Sequence, residues 1–222
     1  MFNLDYMKKY AALSLVLILV GCSKEKKSET ASSIDYSNIS TDSGKVAKKD
    51  YSVLDKVSPH DIRMLNGEIL TLLKTKNYTE LAQFIHPEKG IRFSMYGYVQ
   101  PKKDKIFTKE EFQKYIETDI KFTWGEKDGT GDLLVMSLKN YLEKWVFAKD
   151  FTIAETFTDE TKSRGNTLNN LKEIYPHSIY TENYLKGSKE YSEMDWNALR
   201  LVFEQYKGKL FLVGIINDRW TV

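Results

Sequence analysis

The sequence predicts an α+β domain in which a curved antiparallel sheet packs on N-terminal and intervening helices. Three observations predict it. Ile62, Leu65, Ile69, Leu72 and Leu73 recur at helical spacing ahead of any strand pattern. Ile91, Phe93 and Met95 then alternate with Arg92, Ser94 and Tyr96, as in a strand with one buried face. Ser178 to Leu185, Leu199 to Tyr206 and Leu210 to Ile216 also alternate, and Lys207-Gly208 between the last two is hairpin chemistry, with Gly supplying a positive φ. Helices first and antiparallel strands last favour a sheet laid on helices.

The elements follow in order. Ser58-Pro59 reads as an N-cap with Pro at the first helical position, opening a helix that runs to about Lys76. Tyr78, Leu81, Ala82 and Ile85 mark a second, short helix stopped by Pro87. Thr108 and Glu111 have capping-box spacing, and Phe107 and Phe112 occupy the two positions of a hydrophobic staple, so a helix is expected from Lys109 to about Glu117. Ile120, Phe122 and Trp124 alternate as a short strand. Ser137 then caps a helix whose Leu138, Tyr141, Leu142, Trp145 and Val146 form an apolar stripe. Phe157 to Asn170 and Lys186 to Asp195 read as polar loops, and the domain is expected over residues 51–222.

Ahead of the domain lie two segments of different character. Lys8-Lys9, a mostly apolar run from Ala11 to Val20, and Gly21 before the only cysteine, Cys22, have the layout of a secretory signal over residues 1–21. Met7-Lys8-Lys9-Tyr10 is a cleaner basic beginning than one that includes Asp5. The apolar run would rise only ~15 Å as a helix, about half a bilayer core, so it cannot span. Residues 22–50 hold seven serines, many charges and few large apolar groups, the composition of a disordered tether. As a random coil that tether would hold the domain ~30 Å from its attachment point.

Leu19-Val20-Gly21-Cys22 resembles the lipobox of bacterial lipoproteins. The resemblance implies that Cys22 becomes an acylated mature N-terminus, which places the domain outside the cytoplasm on the cell membrane or the outer membrane. Two or more acyl chains give stable anchoring. With the only thiol acylated, disulfides, thiol catalysis and cysteine-ligated metal are excluded. The order of elements from residue 58 onward resembles the cone-shaped domain of the nuclear transport factor 2-like superfamily, with a cystatin-like roll as the alternative. His86-Pro87-Glu88-Lys89-Gly90-Ile91-Arg92-Phe93-Ser94, Trp124-Gly125 with Asp128-Gly129, and Leu212-Val213-Gly214-Ile215-Ile216 with Trp220 also resemble a group of uncharacterised secreted bacterial lipoproteins, a likeness that implies no activity.

The whole chain has 33 basic and 31 acidic residues. Without Lys8, Lys9 and Asp5 the balance is a formal +1, which offers no electrostatic footprint for nucleic acid. His60, His86 and His177 are far apart and lack metal-ligand spacing. No phosphate-binding glycine loop and no Gly-x-Ser-x-Gly elbow occurs. Asp128-Gly129-Thr130-Gly131-Asp132 has oxygen ligands at the first, third and fifth places of a calcium loop, but Leu133 and Lys139 fall where Gly and Glu are required. It is read as a turn between strand and helix, and no metal or cofactor is expected.

The least ordinary feature is a set of polar and aromatic residues on strands: Arg92, Tyr96, Trp124, Arg200 and Glu204, with Tyr98 and Trp220 nearby. In a cone-shaped fold they could line a ligand pocket. The competing reading makes Arg92, Arg200 and Glu204 a solvated outer face with cross-strand charge pairs. Trp124 likewise has two readings, a ring at a pocket mouth or a cap on the core. The functional expectation is a non-catalytic binding or interaction module of the cell envelope, held by its lipid anchor and meeting an envelope ligand or protein. The alternative is a small hydrolase or isomerase with an acid-base group in the cone.

Overall fold

A computed structural model describes residues 57–162 and 168–221. The signal segment, Cys22 and the tether lie outside those residues.

Helix α1 spans Pro59–Thr75. Ser58 Oγ accepts from the Asp61 N–H at 3.1 Å, Pro59 fills the first turn, and Lys76 in a left-handed conformation ends it. A short α2, Tyr78–Leu81, tightens into a 3₁₀ turn, Ala82–Phe84, before Pro87. Strands β1 (Ile91–Ser94) and β2 (Lys105–Phe107) pair antiparallel. Gly90 enters β1 with φ +67°, where a Cβ would stand 2.3 Å from the Phe107 carbonyl oxygen, so only glycine fits. Helix α3 spans Lys109–Ile116, and both halves of its capping box form, at 3.1 and 2.9 Å.

Strands β3 (Lys121–Glu126) and β4 (Leu133–Ser137) make a separate two-stranded hairpin. Ser137 then caps α4, Leu138–Tyr141, which widens into a π turn over Leu142–Val146. The chain continues through β5 (Glu155–Thr158), α5 (Leu171–Ile174), β6 (Ile179–Leu185), β7 (Asn197–Tyr206) and β8 (Lys209–Arg219). Lys207 and Gly208 both take positive φ, 49° and 81°, at the β7–β8 turn.

The main sheet has six strands in the order β2-β1-β8-β7-β6-β5. Its ladders are antiparallel except β1 with β8, which is parallel, Arg92 facing Gly214. The expected sheet was wholly antiparallel; alternation identifies β1 as a strand but carries no information on its partner or direction. Three further strands depart from expectation. β2 is too short to show a period. β4 lies where a turn was expected to lead straight into a helix, because its apolar Leu133-Leu134-Val135-Met136 conceals the alternation that its burial reveals. β5 includes Phe157 and Thr158, the start of the expected loop, and is fixed there by pairing with β6.

Both faces of the sheet are covered. One carries Phe93, Leu199, Leu201, Phe203, Leu212 and Ile215 against α1, α3 and α4. The other carries Val202, Val213 and Ile216 against Val99, Leu171 and Tyr175. A register shift at Val202/Phe203 leaves Val213 as the extra residue of β8, so Leu212 and Ile215 face the same side although three apart. α1 is pinned to β6 by a reciprocal amide pair: Asn66 Nδ2 donates to Asn183 Oδ1 at 2.8 Å, and Asn183 Nδ2 donates back at 2.9 Å. Thr181 Oγ1 donates to the same Asn66 oxygen at 2.6 Å.

The second face corrects the reading of Arg200 as part of a solvated surface. Arg200 is fully buried and donates through Nε to Glu182 at 2.7 Å and through Nη2 to Asp218 at 2.6 Å. Glu182 is its direct cross-strand partner, so the charge pair forms as read, but away from water. Arg200→Ala is expected to lower unfolding free energy by about 3–5 kcal/mol in urea titrations, because two buried carboxylates lose their cation. A loss as small as that from removing the exposed Lys186 of the Lys186–Glu193 pair would contradict this assignment.

Candidate ligand cleft

β1 ends at Ser94, and the chain crosses the end of the sheet before returning as β2. The β3–β4 hairpin stands opposite that crossing. Between them lies a cleft of about 650 Å³. Met95, Tyr96 and Trp124 form its apolar wall. Lys102, Lys103 and Lys105 line one lip, and Glu126, Lys127 and Asp128 the other.

Trp124 is only 4% exposed. Its indole stacks on Tyr141 at 3.6 Å between centroids and 4° between planes, and its Nε1 donates to the Met136 carbonyl at 2.9 Å. The ring is therefore a core member whose remaining margin reaches the cleft. Tyr96 packs edge-on against Trp145 at 5.9 Å, and its hydroxyl accepts from the Asp128 N–H at 2.9 Å. One side chain thus ties the β1–β2 crossing to the hairpin tip.

Asp104 is the ionisable group inside the cleft. Burial pushes its carboxyl up to about 6, against the lowering effects of the Gln100 N–H, which donates to it at 2.8 Å, and of the Arg92 guanidinium. Behind the wall, the fully buried Tyr141 hydroxyl makes no hydrogen bond among the described residues. Burial first, and then the Asp104 charge, hold that phenol well above its ordinary range.

The expected ligand residues do not gather in one place. Tyr96 and Trp124 line the cleft together. Arg92 points to the other sheet face, donating to the Tyr175 hydroxyl at 2.9 Å and to the Pro101 carbonyl at 3.3 Å. Arg200 belongs to the buried triad, and Glu204 is ion-paired with Lys89 and nearly buried rather than solvated. Tyr98 and Trp220 are exposed. Sequence reasoning passed over the lysine run at 102–105, which a scan for charge clusters finds, and Asp104, whose burial has no local signature.

The Asp128–Asp132 segment is a turn, but it joins two strands rather than strand and helix. Lys127 N–H donates to the Asp132 carbonyl at 2.8 Å, and Gly129 and Gly131 take φ of +78° and +72°. Among the described residues, no group of three or more His, Cys, Asp or Glu could hold a metal ion, and no helix is long and apolar enough to cross a membrane.

Three tests follow from this geometry. Trp124→Ala should cost about 3–5 kcal/mol of stability, as for a buried aromatic ring. Tyr141→Phe keeps the stacked ring and removes a hydroxyl without a partner, so its unfolding midpoint should equal or exceed that of the parent; a loss comparable to Trp124→Ala would show that the hydroxyl is bonded. For Asp104 the folded value lies above the ordinary 3.8. Its contribution to stability is therefore present in full below that value and is lost as pH rises through about 6. Asp104→Asn should be more stable than the parent at pH 7.5, by roughly 1–3 kcal/mol with the low end set by solvent screening, and equal to it near pH 4. Thermal melts at the two pH values check the sign.

No protein family, curated protein or solved structure matches the chain.

Proposed function

We propose that this chain is a lipoprotein of a bacterial cell envelope, held outside the cytoplasm by acylated Cys22. Its domain is a non-catalytic module that binds an envelope ligand or protein. The anchor reading is supported by Leu19-Val20-Gly21-Cys22 at the end of a short apolar run. The binding reading is carried by one observation: the cleft combines an aromatic wall, Tyr96 and Trp124, with charged lips whose members make no ion pair among the described residues. Its volume lies within the range of small-molecule sites. The fold reading that accompanies it is the cone-shaped, nuclear transport factor 2-like one, supported by α1, α3 and α4 lying on one face of the main sheet. The near-neutral charge keeps nucleic acid out of the proposal.

One observation favours a second reading, a small hydrolase or isomerase. Asp104 is a cleft carboxyl raised to about 6, where a group can both give and take a proton near neutral pH. That site would lie at the end of the sheet, between crossing and hairpin, rather than within the core.

Two measurements test the proposal. Mass spectrometry of the mature N-terminus should find an acylated Cys22, and Cys22→Ala should leave an unprocessed, unacylated precursor. A wild-type N-terminus free of acyl groups would remove the anchor. A small-molecule thermal-shift screen should give hits that move Trp fluorescence and are weakened by Tyr96→Ala. A screen without such hits would remove the binding module.

A further inference from the structure

We infer that the cleft takes a small zwitterionic ligand carrying a flat apolar ring, the chemistry of a free amino acid with an aromatic side chain. The inference rests on the binding-module reading and names its ligand class.

The lips are opposite in character. On the β1–β2 side stand Lys102 and Lys103, both exposed, with Lys105 half-buried at the start of β2. Asp104, the carboxylate among them, is turned into the cleft, where it caps the Gln100 N–H. With three lysines to one carboxylate, that lip is net cationic. On the hairpin side Glu126 and Asp128 flank Lys127, all three exposed, so carboxylates predominate there. None of Lys102, Lys103, Lys105, Glu126, Lys127 and Asp128 is ion-paired among the described residues. A cleft polarised in this way attracts a cation to one lip and an anion to the other, and rejects a ligand with two like charges.

Between the lips the wall is formed by Met95, Tyr96 and Trp124. The margin of Trp124 is held rigid by its stack on Tyr141, and Tyr96 is fixed at both ends, by Trp145 and by the Asp128 N–H. Rigid rings give contact area with few rotamers to freeze. Met95, which also lines the cleft, adapts its shape to the ring that enters. The Tyr96–Asp128 bond places the aromatic wall beside the acidic lip. A ligand with its ammonium at that lip would therefore lay its ring on Tyr96 and turn its carboxylate toward the lysines.

The test is calorimetric titration of the full chain with three probes: L-phenylalanine, N-acetyl-L-phenylalanine, which lacks the cation, and L-phenylalaninamide, which lacks the anion. Phenylalanine should bind at least about tenfold more tightly than either analogue, and the preference should shrink in high salt. The double variant Lys102→Glu, Lys103→Glu changes two exposed residues and should fold as the parent. It should lose phenylalanine and N-acetylphenylalanine while retaining phenylalaninamide. Equal or tighter binding of either analogue, or equal binding by the lysine variant, would overturn the zwitterion inference and leave the cleft a binding site of another kind. If the thermal-shift screen yields cleft ligands and none of the three probes binds, the inference alone falls. If neither the screen nor the probes bind, both it and the binding-module reading fall.

Discussion

The central hairpin β7–β8 is covered on both faces, and most of the fold answers to that constraint. A polar group placed on it cannot reach water and must find its partner inside the protein. On the face turned to the helices the strands are apolar apart from Asn217, whose Nδ2 donates to the Trp145 and Val146 carbonyls, and α1 is registered by the Asn66–Asn183 amide pair, which satisfies both side chains at once. On the other face Arg200 is enclosed between Glu182 and Asp218, so one cation joins the three strands β6, β7 and β8. Such an arrangement adds little net stability over an apolar replacement, but losing any one member is costly. The extra residue at Val213 belongs to the same solution, since it lets β8 present apolar side chains to both faces within a few residues.

Covering both faces leaves the ends of the sheet as the places where polar chemistry can meet solvent. The cleft forms at one such end. There the β1–β2 crossing and the β3–β4 hairpin extend beyond the six-stranded ladder, and neither pairs its backbone with the other. What holds them is side-chain contact: Phe107 against Phe122 and Trp124, Trp124 on Tyr141, and the Tyr96 hydroxyl on the Asp128 backbone. The aromatic wall of the cleft is held in place by these contacts. Asp104 shows the electrostatic consequence: it is buried enough to resist ionisation, yet its carboxyl lines an opening to solvent.

Periodicity and capping chemistry made much of the helix–strand order readable. Ser58-Pro59, the Thr108–Glu111 box and Lys207-Gly208 each act over a few residues, and each forms where it was read. What was missed depends on contacts distant in sequence. β5 is a strand because β6 lies beside it. β1 runs parallel to β8 because the chain comes back to it more than a hundred residues later. Arg200 looked like a surface residue because strand alternation reports two faces and not whether the second one is covered.

By itself the sequence determined the local elements, the α+β class and the identity of residues able to carry charge or stack, because these follow from spacing along the chain. Only the tertiary structure decided which of them meet. It separated Arg92, Arg200 and Glu204 from Tyr96 and Trp124, and it brought Tyr96, Trp124, Asp104 and the lysines at 102–105 to one cleft. The physical reason is that burial and long-range pairing fix a side chain's environment, and neither is written in the residues next to it.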